Sequence, residues 1–286
     1  MITTFKITDQ KAIRLAECVS VPNVMIIYGQ NGVGNSTLLH ALKLKIPENP
    51  VGREKVIYSS SSVPFDANES SDRIVSVLSQ LEIARRNIIA AASLLDNKNK
   101  VAEYISISHV YEPLNKLMSR LLPQMKFEGF NLVNPDCPDC IFNRVHNSQN
   151  DISRRWTEVD INKLSRLEID VISLFLPLLE HQIQRRLVPR IEGRSKSDYD
   201  DIVVLMDIPN LLVPPQLQAA LLEYFRSIVR EENEESIQFI IVTSSSALIN
   251  NATTEEVFML MPSQQLAEGS NQLVKVSDTN MCLMPV

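Results

Sequence analysis

Glycine is scarce in this chain, and where it does occur marks the most constrained segment. Seven glycines are found in 286 residues, where ordinary usage of about 7% would supply roughly twenty. Three of the seven, Gly29, Gly32 and Gly34, fall within six consecutive residues. Glycine accepts positive φ and lets another group approach the backbone closely, so the cluster marks a tight, specialised turn. Before it stands Val24-Met-Ile-Ile-Tyr28, a nearly continuous apolar run of the kind a strand buried on both faces requires. After it comes Ser36-Thr-Leu-Leu-His-Ala-Leu-Lys-Leu44, whose apolar spacing is helical. The predicted segment is strand, tight loop, helix.

Gly29-Gln-Asn-Gly-Val-Gly-Asn-Ser-Thr37 fits the pattern G-x-x-x-x-G-x-S/T. Such a loop turns successive backbone N–H groups inward and seats phosphate at a helix N-terminus. Gly29, Gln30, Asn31, Gly32, Val33, Gly34, Asn35, Ser36 and Thr37 are therefore the expected binding set for ATP or ADP, with the Ser36 hydroxyl where a magnesium ligand is wanted. The lysine of the pattern is missing. Asn35 stands at its position, and an amide donates a hydrogen bond without bringing a charge. Charged hydrogen bonds are worth roughly 1.5–3 kcal/mol against about 1 for neutral ones, so binding is expected to be weaker by roughly one to two orders of magnitude.

The rest of the chain alternates in the same way. Ile2 to Ile7, about Ala12 to Val19 and Lys55 to Ser59 read as short strands. Apolar residues from Ser71 to Leu95 recur at helical spacing, and a second helix is predicted from Val101 to Leu122. Strands are predicted near Met125–Asn131, Ile141–Val145 and Thr157–Asp160, then a helix from Leu164 to Leu187 kinked at Pro177. Ile202 to Met206 leads into Asp207, Pro215 to Arg230 is helical, and Gln238 to Val242 runs into Thr243-Ser-Ser-Ser246. Two or three short strands follow from Glu256. The predicted organisation is an N-terminal lobe over 1–70, a helical insertion over 71–123 and a C-terminal lobe over 124–286. The fold class is α/β, with a mostly parallel sheet, an antiparallel piece and an inserted helical arm.

Composition narrows the setting. Hydrophobic residues make up 44% of the chain, enough for a real core. The net charge of −6 argues against a generally basic nucleic-acid coat. No apolar run approaches the roughly 20 residues of a membrane helix, and Met1 to Lys11 has no signal-peptide core. A cytoplasmic protein without a membrane segment is expected.

Taken together, the motifs resemble those of ABC-type ATPases of the SMC, RecF and OLD kind, which are P-loop NTPases of the broad AAA ATPase class. Gln30 to Thr37 is similar to their G-x-N-G-x-G-K-S-T loop, with Asn35 for the lysine. Leu164-Ser-Arg-Leu-Glu168 resembles the signature L-S-x-G-E, with Leu167 for its glycine. Val204 to Asn210 resembles the Walker B stretch ending D-E-P-E, with Ile208 for the catalytic glutamate. Ile240 to Ser245 resembles the strand ending T-H-S, with Ser244 for the switch histidine. The resemblance implies a phosphate loop on one head facing the signature of another, and a magnesium ion between Ser36 and Asp207.

A γ-phosphate in flight needs cation or dipole clamps and a group that orients the attacking water. Ile208 has no oxygen to polarise water, Ser244 is too short to replace an imidazole, and Asn35 brings no charge. No catalytic residue is therefore assigned. The expected protein is a pseudo-ATPase that keeps a nucleotide-binding fold and serves as a regulatory or scaffolding subunit. The resemblance implies a homo- or heterodimer through the head, with a competent ATPase or a nuclease as partner, in DNA repair or anti-phage defence. Contact with nucleic acid stays open. The alternative is a slow, genuine ATPase completed by a partner, with Lys11 or Lys43 as substitute cation and Glu168 or Glu255 as substitute carboxylate.

Other features have plainer readings. Cys137 and Cys140 have C-x-x-C spacing, but a structural zinc site needs about four ligands and no second pair lies nearby. Two free thiols in a turn are expected over metal or redox use. Arg185, Arg186, Arg190, Arg194 and Lys196 form a basic cluster, read as a solvated helix end rather than a nucleic-acid contact. His40, His109 and His181 are read as structural.

Overall fold

A computed structural model describes residues 1–11, 13–46, 55–60, 67–92, 103–136, 138–146, 155–188, 201–208, 215–231, 236–262 and 271–276. The chain divides into two compact units, Met1–Val63 with Gly193–Val286, and Pro64–Glu192.

The first unit is built on an eight-stranded sheet. In chain order its strands are β1 (Phe5–Gln10), β2 (Ile13–Cys18), β3 (Val24–Tyr28), β4 (Lys55–Ser60), β8 (Ile202–Ile208), β9 (Ile237–Thr243), β10 (Val257–Pro262) and β11 (Asn271–Lys275). Their order across the sheet is β1-β2-β11-β10-β3-β9-β8-β4. The β1–β2 and β10–β11 pairs are antiparallel and the remaining pairs parallel, which is the mostly parallel sheet expected. Strands β8 and β9 are buried at every residue, which explains their apolar stretches, Ile202 to Met206 and Phe239 to Val242. Strand β1, at the sheet edge, has one fully buried position, Ile7, among exposed neighbours. Helix α1 (Asn35–Lys45) lays Leu38, Leu39, Ala41 and Leu42 on the same core as Met25, Ile27, Val203, Leu205, Ile240 and Val242.

Gln238 is a polar residue inside the buried β9 run, at 1% exposure. Its side chain accepts from Ile2 N at 3.0 Å and donates to the carbonyls of Ile2 at 3.0 Å and Pro22 at 3.2 Å. It thereby satisfies backbone groups at the start of the chain and ahead of β3. Helix α6 (Pro215–Glu231) is tied down by Arg226, which donates to Glu223 and, through Nε at 3.0 Å, to Glu256.

The second unit holds α2 (Ala67–Ala92), α3 (Ile107–Val110), α4 (Glu112–Leu121), α5 (Arg166–Leu187) and a separate antiparallel sheet, β5 (Met125–Asn131), β6 (Asp139–His146) and β7 (Arg155–Asp160), in that order. The single helix expected over 101–122 is broken at Tyr111. Pro113 has no N–H to give to the carbonyl of His109, four residues back. That carbonyl instead accepts the Arg186 guanidinium at 2.8 Å. Helix α5 continues through Pro177 to Leu187. Tyr111 is fully buried, tilted against Phe127 and edge-on to Phe130, and its hydroxyl donates to Glu82 at 3.3 Å. Glu82 also takes a two-pronged bond from Arg85 at 2.8 Å, so the first arginine of the Arg85–Arg86 pair is a core residue.

Burial works against ionising Glu256, but Arg226 and the backbone and hydroxyl of Thr253 outweigh it and hold its carboxyl below the usual glutamate range. A lowered carboxylate contributes stability above its unfolded value, about 4.3, and loses it as pH falls through the folded value. Glu256→Gln should therefore cost about 1–2 kcal/mol at pH 7, with the deficit fading as pH falls below ~4, in urea unfolding followed across pH. A deficit independent of pH would contradict this.

Candidate functional site

The four parallel strands β3, β9, β8 and β4 end level with one another. Tyr28 pairs with Thr243, Thr243 with Ile208, and Asp207 with Ser60. The glycine-rich loop, Asp207, Ile208 and Ser244 lie at this carboxyl edge, the position where open α/β sheets place their ligands.

The loop between β3 and α1 leaves the sheet at Gly29, whose N–H donates to Thr243 O at 3.1 Å. Val33 N then closes a turn onto Gln30 O at 3.3 Å, and Leu38 N bonds Gly34 O at 2.9 Å to start the helix. Gly32 and Gly34 have φ of 87° and 104°, a region that side-chain-bearing residues rarely adopt. No side chain caps α1, so its first N–H groups are not used by a capping residue. Gln30, Asn31 and Ser36 are exposed, and Val33, Asn35 and Thr37 half-buried. This is the strand–loop–helix junction predicted from the glycine cluster.

Two polar contacts define the site. Ser36 Oγ donates to Asp207 Oδ2 at 2.8 Å, joining the first turn of α1 to the end of β8. Asp207 is buried at 7% exposure, and that burial pushes its carboxyl up, with the Ser36 hydroxyl acting the other way. Two oxygen ligands, one a partly desolvated carboxylate, suit a hard divalent cation. Asn35 Nδ2 donates to Gly29 O at 2.7 Å, folding its amide back across the loop. A Cβ on Gly29 would meet Asn35 Oδ1 at 2.1 Å and Val33 Cγ2 at 2.7 Å, so the amide is packed directly on that glycine. Asn35 thus braces the loop from within.

The other positions singled out by the sequence motifs are placed as follows. Ile208 is buried at 2% exposure beside Asp207. Ser244, half-buried, lies just past the end of β9. The neighbouring Ser245 is buried; its N–H donates to Thr243 Oγ1 at 3.0 Å and its hydroxyl to Gln218 on α6.

The signature-like segment has a local explanation. Ser165 caps α5 and Glu168 completes a capping box, accepting from Ser165 N at 2.6 Å. Glu168 also takes Arg144 of β6 in an ion pair, so this carboxylate is committed within the second unit. Of the other candidate substitutes, Glu255 pairs with Lys275, Lys43 lies over the Tyr58 ring at 4.8 Å, and Lys11 sits in the turn between β1 and β2. Cys140 is buried within β6 rather than in a turn. Cys137, Arg190, Arg194 and Lys196 lie outside the described residues, and no metal-holding cluster of His, Cys, Asp or Glu occurs among those described.

Sequence reasoning missed Asn271. Its Nδ2 donates to Val33 O at 2.7 Å from the first residue of β11. A lone asparagine 238 residues from its partner gives no local signal.

No family model and no curated protein matches the chain. Among solved structures it is similar to the crystal structure of the Smc head domain with a coiled coil and joint derived from Pyrococcus yayanosii, at 15% identity and a TM-score of 0.37. The match covers 64% of this chain and 31% of that one, so the chain spans about a third of that structure's length. No helix among the described residues is long and apolar enough to cross a membrane.

Gly34→Ala places a side chain at φ 104° and should cost about 1–2 kcal/mol, read as a lowered urea midpoint with an unchanged far-ultraviolet spectrum. A loss near zero would mean that the loop does not hold this conformation in solution.

Proposed function

We propose that the chain is a degenerate ATPase of the SMC-like kind, which binds a nucleoside di- or triphosphate weakly and does not hydrolyse it efficiently. The observation that carries this reading is the contact of Ser36 with Asp207 at 2.8 Å beside a loop whose Gly32 and Gly34 lie at positive φ. Phosphate oxygens would be met by main-chain N–H groups of the loop and the first turn of α1. Magnesium, when bound, would be held by Ser36 and Asp207 and would supply charge neutralisation at the phosphates. Bringing a cation to Asp207 also relieves the cost of burying its carboxylate.

Impaired hydrolysis follows from side-chain chemistry. Next to Asp207 the chain offers the hydrocarbon of Ile208, buried at 2% exposure. Asn35 spends its amide N–H on Gly29 O. Losing one well-placed electrostatic group commonly costs about 100-fold or more in rate, and here several are replaced together. Such a chain would act by nucleotide-dependent assembly, as a regulatory or scaffolding subunit paired with itself or with a competent ATPase or nuclease. DNA repair and anti-phage defence are the settings this reading favours.

The test is magnesium-ATP titrated into the purified chain, with phosphate release measured in parallel. Expected are weak binding, no turnover above a blank, and binding about tenfold tighter in Asn35→Lys. Turnover in the wild type that is lost in Asp207→Ala would replace this reading with that of a slow ATPase. No binding by either the wild type or Asn35→Lys would leave a head that acts only as an interaction module.

A further inference from the structure

We propose that Asn271 is a positioning residue for the phosphate loop, fixing the Val33–Gly34 peptide so that the Gly34 N–H faces a bound anion. The inference rests on the nucleotide reading above and adds a residue to it. Asn271 is buried at 7% exposure and donates through Nδ2 to Val33 O at 2.7 Å. The pairing of β11 with β2 shifts register between Asn271 and Gln272. Such irregularities re-aim a side chain and break the regular ladder at a defined point. Here the shift falls at the residue whose side chain reaches out of β11 to the loop after β3.

The consequence follows from peptide geometry. No cis peptide bond occurs among the described residues, and a planar trans peptide points its C=O and the next N–H in opposite directions. Holding Val33 O toward Asn271 therefore holds Gly34 N–H away from it. Rotating this one peptide plane changes chiefly ψ of Val33 and φ of Gly34. Glycine resists that rotation little, so the residue type that permits φ 104° also leaves the plane free to turn. A turned plane would present a carbonyl oxygen, rather than an N–H, to a phosphate. Val33 N–H is already held by Gln30 O at 3.3 Å, and Asn271 supplies the restraint on the other side of the residue.

Calorimetric titration of magnesium-ADP into the full chain tests this, with wild type, Asn271→Leu and Asn271→Ser compared. The Gly34 amide resonance is followed in each on adding inorganic pyrophosphate. Expected is about a tenfold loss of affinity in both variants, the worth of one hydrogen bond, with the Gly34 resonance moving in the wild type and hardly in the variants. A purely structural Asn271 would lower the melting temperature and leave affinity and the Gly34 response of the folded variants intact. That result, with binding by the wild type, overturns the role of Asn271 and keeps the nucleotide reading. Absence of binding by the wild type overturns both. Should Asn271→Leu fail to fold, the smaller Asn271→Ser gives the same readings.

Discussion

The bond from Ser36 to Asp207 spans 171 residues of sequence, and it forms only if two distant strands end at the same height. Strand β9 lies between β3 and β8, so the register of three strands must be correct at once. The apolar runs keep all three strands in the sheet interior, and the parallel ladders β3–β9 and β9–β8 fix their register. The apolar interior of the first unit thus serves to bring one hydroxyl and one carboxylate to the mouth of one loop.

Around that pair, the shape of the loop is set by main chain more than by side chains. The loop donors are backbone N–H groups, whose direction depends on Gly32 and Gly34, on the Gly29–Thr243 bond and on Asn271. None of these requires a lysine, a glutamate or a histidine. Asn35, Ile208 and Ser244 bring no charge to this edge, and the loop holds its shape without one. Asn35 even contributes to that shape through Gly29 O. A loop shaped by main-chain geometry in this way does not depend on charged side chains for its form.

The loop was legible because glycine is rare in this chain and its cluster sits between two clear hydrophobic patterns. The buried strands β8 and β9 were legible from their apolar stretches, Ile202 to Met206 and Phe239 to Val242. The break at Tyr111 was not read, although Pro113 carries the signal: the apolar spacing on either side continues the helical period and hides it. Ser165 and Glu168 were read for their likeness to a signature, yet their spacing is also that of a capping box, which is what they form. Arg85 gave no signal in the sequence, and it is buried with Glu82. Asn271 and Gln238 were beyond sequence reasoning because each acts on backbone groups more than 200 residues away. Local pattern reveals elements; it does not reveal which polar side chain crosses between them.

The central claim is that the loop from Gly29 to Thr37 is a formed anion cradle with a cation site at its edge. A crystal structure of the chain grown with magnesium and ADP tests it most directly. The account predicts phosphate density within hydrogen-bonding distance of main-chain N–H groups of the loop, and a metal ion touching both Ser36 and Asp207. Nucleotide bound elsewhere, or an ordered loop left empty at saturating nucleotide, would contradict it.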